Sequence, residues 1–429
     1  MGWRGLAAGL LVLAACGAMT AKAGNWAQFR GPGSAGVSED KGFPVEWDES
    51  KNFAWKTALP GPGSSSPIVW DNRVYVTCYS GYGAGRGGSM SKLKRHLLCL
   101  GRDTGKIIWE QTVASTVRED TYSGRGIVEH GYASHTPVTD GERIYAFFGK
   151  TGAVAFDMAG KKLWQTSLGT QSGNRRWGSS ASPVLYKDLV IVNAADESRA
   201  IYGLDKKTGK VKWTAPSDQL ELTYGSPVIV DANGPKPELL LAMPEEIWSL
   251  NPADGKARWY AGTPLAGNIS PTVVVDANRV YAFGGYPRVG SVAVRRNGKG
   301  DVTDTHIAWS NRTGPYVPTP VLSEGRLYWV GHRGTACCLE AKTGKTVFET
   351  RLEDPGKGCY AATVMADGRL YSVTRTRGTA VWKPGGAFQE VSRNRFESDA
   401  SDFNAAPALS NGAIFLRSNR FLYCVQKQK

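Results

Sequence analysis

The chain has 429 residues, with 52 Gly and 22 Pro spread along its whole length. That is beyond the size at which one hydrophobic core keeps growing, so the sequence must divide into domains or repeat one small unit; even spacing of turn residues without a linker-like tract favours repetition. A net charge of +14 with seven cysteines excludes a disulfide scaffold and favours anionic partners.

Residues 1–23 read as a secretory signal. Arg4 supplies the positive start, residues 5–15 the apolar run, and Ala21-Lys22-Ala23 an A-x-A cleavage site. Leu13-Ala14-Ala15-Cys16 also fits a lipobox, with Cys16 as the acylated residue. Both readings export the protein to the periplasm or cell envelope; the second adds a lipid anchor.

From residue 24 onward one unit recurs. A small residue followed by proline appears at Pro67, Pro137, Pro183, Pro227, Pro271, Pro320 and Pro407, and Thr363 holds the equivalent slot in one unit. After each step comes a strand (Ile68-Val69-Trp70), a polar turn (Asp71-Asn72) and a second alternating strand (Val74-Tyr75-Val76). A third strand runs into a turn of the type Asp205-Lys206-Lys207-Thr208-Gly209-Lys210, and a large aromatic follows the glycine by four residues. The pairs are Gly105 with Trp109, Gly160 with Trp164, Gly209 with Trp213, Gly255 with Trp259 and Gly344 with Phe348, and Trp309 marks a looser fifth unit. One aromatic per unit at a fixed offset predicts a ring wedged between neighbouring sheets.

Four strands per unit cannot bury their own faces, so the units must pack radially as a β-propeller. The eighth unit ends at Lys429 without its fourth strand, and residues 52–56, centred on Trp55, match the missing one. We therefore expect an all-β, eight-bladed propeller over residues 24–429, closed by pairing the N-terminal strand with the last blade.

Units ending like Leu204-Asp205-Lys206-Lys207-Thr208-Gly209-Lys210-Val211-Lys212-Trp213 resemble the pyrroloquinoline quinone (PQQ) type of propeller repeat. Residues 25–32 (NWAQFRGP) and 130–137 (HGYASHTP) are similar to segments of exported PQQ-binding-like propeller proteins of planctomycete-type bacteria. The resemblance extends to quinoprotein alcohol and glucose dehydrogenases and to the eight-bladed lipoprotein of the outer-membrane β-barrel assembly machinery. It implies a fold shared by enzymes and by non-enzymatic scaffolds.

Quinone chemistry would need calcium, with oxygen ligands, and a catalytic Asp. Cys337-Cys338 matches the vicinal disulfide that the dehydrogenases stack on PQQ. In the aligned units, however, Cys338 falls in a column of small residues and Cys337 in a column of strand-packing residues, so strand packing is the reading adopted. No acidic active-site motif, haem-attachment motif or metal-ligand spacing is found, and no motif reads nucleic acid. Neither a catalytic residue nor a firm cofactor is assigned; PQQ with calcium stands as the alternative.

In such propellers the second-to-third and fourth-to-first loops emerge on one face. The expected binding face there comprises Arg95, Arg175, Arg176, Arg288, His332, Arg333, Arg375, Arg377 and Arg417 with the aromatics Tyr132, Trp177, Tyr224, Tyr316, Tyr360 and Phe403. Arginines interleaved with aromatics suit a protein partner or an anionic glycan. The acids Glu119, Asp120, Glu129, Asp196, Glu197, Glu245 and Glu246 fall on units two to four, which predicts a lopsided face. The expectation is therefore a monomeric exported scaffold, with a PQQ-dependent oxidoreductase as the second reading.

Overall fold

A computed structural model of the chain describes residues 24–84, 88–115, 117–124 and 126–428. The expected signal segment and lipobox, with Cys16, lie outside these residues.

Eight antiparallel sheets form the expected propeller. Blade 1 contains Ile68–Trp70, Arg73–Ser80, Lys94–Gly101 and Ile107–Ala114, hydrogen-bonded in chain order from the first strand outward. Blades 2 to 7 repeat this plan, beginning at Val138–Thr139, Val184–Tyr186, Val228–Val230, Val274–Val275, Val321–Ser323 and Val364–Ala366. Blade 8 has three strands from the C-terminal end, Ala408–Ser410, Ala413–Arg417 and Phe421–Gln426, and takes its fourth, Phe53–Ala58, from the beginning. In that closing pair Trp55 faces Cys424 and Thr57 faces Leu422. One blade departs from four strands: Gly300–Asp301, inserted in blade 5, adds in parallel to the outer strand Ala257–Gly262 of blade 4.

The aromatic after each turn glycine is the inter-blade wedge. Trp55 Nε1 donates to the Arg102 carbonyl at 2.8 Å, Trp164 Nε1 to Lys206 at 2.9 Å and Trp309 Nε1 to Ala341 at 3.0 Å, each reaching the next blade's turn. The turn glycine of that next blade lies under the ring. A methyl group at Gly209 would come within 2.6 Å of Trp164, and Gly209 has φ +71°, so both the close approach and the backbone conformation require glycine.

The fifth unit corrects the sequence alignment by two residues. Val274 pairs with Tyr281 as Ile68 pairs with Tyr75, so Thr272 and Val273, rather than Ser270 and Pro271, occupy the slots of Ser66 and Pro67. In that register a belt of hydroxyls lines the channel from blade 1 to blade 6. The Ser66 amide donates to Thr136 Oγ1 (2.9 Å), Thr136 to Ser182 Oγ (3.0 Å), Ser182 to Ser226 Oγ (2.8 Å), Ser226 to Thr272 Oγ1 (3.2 Å) and Thr272 to Thr319 Oγ1 (3.0 Å).

Blades 7 and 8 place Ala362 and Ala406 in this column, so the belt stops there and other groups take over. Arg30, fully buried, donates to the carbonyls of Thr319, Pro320 and Thr363 and joins blades 6 and 7. Arg417 of blade 8 donates to the Ser65 and Thr77 carbonyls of blade 1 at 3.0 and 2.6 Å. Between blades 7 and 8, the Trp47 amide donates to Asn394 Oδ1, while the Phe43 and Trp47 rings enter their shared core.

Candidate functional site

A cavity of about 500 Å³ occupies the channel and is lined almost wholly by fourth-to-first loops. Its inner level carries the hydroxyl belt, including Ser66, Thr136, Ser182, Ser226, Thr272 and Thr319. Each of the belt hydroxyls from Thr136 to Thr319 accepts a backbone amide and keeps its own proton to donate. Above them stand Trp177, Tyr224, Tyr286, Tyr316 and Tyr360. Trp177 and Tyr224 stack at 6.3 Å with 26° between planes, and Tyr286 and Tyr316 lie 5.6 Å apart.

Arg175 is the cationic side chain in the lining. Its guanidinium lies 5.2 Å from the Trp177 ring centre and 5.7 Å from that of Tyr286, and it forms no ion pair among the described residues. Glu129 is the lining carboxylate, and it pairs with Arg375 at 2.6 Å. His130 is held by Ser134 Oγ and the Trp177 carbonyl, and burial pushes its pKa down, so it is neutral at pH 7. Burial likewise raises the pKa of the Tyr224, Tyr316 and Tyr360 phenols, which keep their protons.

Of the expected face residues, Arg175, Trp177, Tyr224, Tyr316 and Tyr360 come together here. His332 packs edge-on against Tyr316 at 5.2 Å, while Arg176, Arg288 and Arg333 are exposed. Others are drawn inward. Arg95 (2 % exposed) pairs with Glu119 at 2.7 Å beneath the Tyr132 ring. Arg375 (6 %) is shared by Glu129, Asp402 and Asn404. Arg417 (1 %) is spent on blade closure. Arg377 pairs with Asp354 at 3.0 Å, and Phe403 stacks on Tyr423, away from the cavity. Arg125 and Arg86, which the loop rule also places on this face, lie outside the described residues.

Four of the seven acids expected on units two to four converge beneath the face, whereas Glu129 pairs with Arg375, Glu246 accepts from Trp248 Nε1 and Glu245 lies apart from them. Glu119, Asp120, Asp196 and Glu197 surround a small cavity of about 30 Å³ with Arg95, Lys150 and His135. Two cations neutralise two acids, Lys150 reaching Asp120 at 3.0 Å. Desolvation, with the neighbouring acids adding to it, pushes Asp196 up to about 7 and Glu197 up to about 8, so at neutrality Glu197 is mostly protonated and Asp196 partly so.

Tyr286, Phe29 and the belt were not singled out from the sequence. Tyr286 stands two residues before Arg288 in a loop already assigned to this face, and that adjacency was the available signal. Five members of the belt are legible as Ser or Thr before proline, but Thr272, followed by Val273, and the cross-blade bonding are not.

The donor set does not fit PQQ with calcium. Calcium takes six to eight oxygen ligands, several of them carboxylates, whereas the cavity wall offers one carboxylate, Glu129, already bound to Arg375, and the Asn404 side-chain oxygen, which accepts from the same arginine. Among the described residues no three metal-ligating side chains converge. Cys337 and Cys338 are free, buried thiols that face different cores, one with Tyr281 and Trp329, the other with Tyr328 and Trp382. Strand packing is their role.

The family described as outer membrane protein assembly factor BamB matches residues 33–178, 94–317 and 306–387. Among solved structures, BamB from Moraxella catarrhalis aligns with a TM-score of 0.61 at 14% identity, covering 87% of this chain and 98% of that one. A europium-containing methanol dehydrogenase aligns at 0.52 with 11% identity, covering 84% and 91%. The computationally designed Ika8 protein aligns at 0.58 with 12% identity, covering 86% and 98%. No curated protein matches by sequence. At these identities the structural likenesses establish the fold alone.

Proposed function

Since the chain belongs to the PQQ-type propeller-repeat family described as outer membrane protein assembly factor BamB, we propose that it is an exported, non-catalytic binding propeller of the cell envelope whose channel cavity takes an anionic glycan. The observation that carries this reading is Arg175. Among the described residues its guanidinium forms no ion pair, and it lies between the Trp177 and Tyr286 rings above the belt of hydroxyls.

Aromatic faces accept the C–H face of a sugar ring, the belt hydroxyls donate to its oxygens, and the guanidinium pairs with one acidic substituent. Both ring nitrogens of His130 are engaged, by Ser134 Oγ and the Trp177 carbonyl, and Glu129 is held by Arg375, so neither is free to act as a general base in this arrangement. The exposed Arg176, Arg288 and Arg333 add a diffuse positive field that draws a polyanion toward the mouth.

Family membership favours a second reading, in which the same loop face docks a protein partner. Calorimetric titration with polygalacturonate, alginate and chondroitin fragments distinguishes the two. We expect saturable binding that weakens with salt and falls about tenfold in both Arg175→Gln and Trp177→Ala. Absence of binding to all three glycans, or binding indifferent to both substitutions, rejects the glycan reading.

A further inference from the structure

We infer that the cavity is a blind cup that admits the end of a glycan chain and excludes its interior; this rests on the glycan reading above. The argument begins with residues 25–38, which cross the channel from one side of the ring to the other. Trp26 bridges to Val69 of blade 1, and the Thr139 amide of blade 2 donates to the Ala27 carbonyl. Four residues on, Arg30 is bonded to blades 6 and 7, and Ser38 reaches the Met365 carbonyl of blade 7. A segment fixed to blades 1 and 2 and then to blades 6 and 7 has to pass over the central channel.

It does so on the face opposite the cavity mouth. Asn25 Oδ1 accepts from the Asp71 amide, Asp367 Oδ2 from the Gly42 and Phe43 amides, and Asp40 Oδ2 from the Asn411 amide. Asp71, Asp367 and Asn411 are all first-to-second turns. In an antiparallel blade those turns lie at the other end from the fourth-to-first loops that line the cavity. Phe29, at the middle of the crossing, contributes the side chain that lines the cavity from this side.

The floor is fixed in place. Arg30, beside Phe29, gives five hydrogen bonds to carbonyl oxygens, those of Ser34, Ala35, Thr319, Pro320 and Thr363. Holding that many buried acceptors, it cannot swing aside without leaving them unpaired. A polymer therefore cannot thread the propeller, and about 500 Å³ holds a ligand of small-molecule size. What enters is a terminal sugar with its acidic group against Arg175.

The test counts proteins per chain. Polygalacturonate, alginate and chondroitin fragments, each in a short and a long size class, are titrated by calorimetry and native mass spectrometry. End recognition predicts one protein per chain at both sizes; a stoichiometry that grows with length overturns it while leaving glycan binding standing. Failure of every fragment to bind removes the glycan reading and this inference with it. As a second measurement, Phe29→Trp fills the floor and is expected to lower affinity about tenfold, and an unchanged affinity would show that the ligand does not enter the cup.

Discussion

The Arg30 guanidinium donates to the Pro320 carbonyl oxygen at 2.6 Å, joining residues 290 positions apart in the chain. Without a carboxylate partner, burial lowers its pKa to about 9, which leaves it charged at pH 7. Its stabilisation comes from several carbonyl dipoles at once, a geometry that a planar guanidinium fork can satisfy and a single ammonium cannot. Arg30→Ala and Arg30→Lys should both lower the unfolding free energy by about 3 kcal/mol or more, since each orphaned buried acceptor costs about 1–3 kcal/mol. Urea denaturation measures this, and a loss below about 1 kcal/mol would show that the clamp is dispensable.

Arg417 and Arg333 separate fold from binding. Arg417 is buried against the Ser65 and Thr77 carbonyls, so Arg417→Glu should yield insoluble or unfolded protein by placing an anion against acceptors. Arg333 is exposed, and Arg333→Glu should change stability by no more than about 0.5 kcal/mol. Circular dichroism and thermal melts of the two variants, made separately, decide the matter.

The hydroxyl belt predicts a finer contrast. Thr136→Val removes the acceptor of the Ser66 amide, 2.9 Å away, and is expected to cost about 1–3 kcal/mol. Thr136→Ser keeps the oxygen and should cost clearly less; because Thr136→Val keeps the methyl group, equal losses would mean that methyl packing contributes as much there as the hydrogen bond.

Asp196 and Glu197 give the fold a pH signature. Both acids bind protons more tightly in the fold, at about 7 and about 8, than in the unfolded chain, where carboxyls titrate near 4. At these two sites the folded protein carries more protons than the unfolded chain between about pH 4 and pH 8, so they lower stability as pH rises. His130, His135 and His332, whose pKa values burial lowers, act in the opposite sense up to about pH 6.5, which leaves the interval above that to the two acids. Melting temperature should be higher by a few degrees at pH 6.5 than at pH 8.5, and Asp196→Asn with Glu197→Gln should flatten the slope. A melting temperature that rises across this interval would contradict the assignment.

The thiols should be inert. Burial raises Cys338 to about 11 and Cys359 and Cys424 to about 12, and all six described cysteines are free. Native protein at pH 8 should react negligibly with a disulfide reagent and react fully in guanidinium. A melting temperature lowered by reductant would instead reveal a disulfide.

Much of this architecture is local in the chain. Alternating strands, a glycine at positive φ such as Gly209 and a tryptophan four residues on are each set within one unit, so eight repeats, the wedge residues and closure through Trp55 are legible in the chain alone. The destination of the charges is not local. Arg95, Arg375 and Arg417 occupy loop-face positions just as Arg175 does, yet the first three are buried and Arg175 alone among them lines the cavity free of an ion pair. That difference depends on which acid or carbonyl a neighbouring blade presents, hundreds of residues away for Arg417 and Ser65. The crossing of residues 25–38 likewise follows from partners on blades 1, 2, 6 and 7 meeting only after the ring has closed. Tertiary structure alone decided which cations staple the propeller and which one faces a ligand, because desolvation and pairing are properties of the assembled junction and not of any repeat.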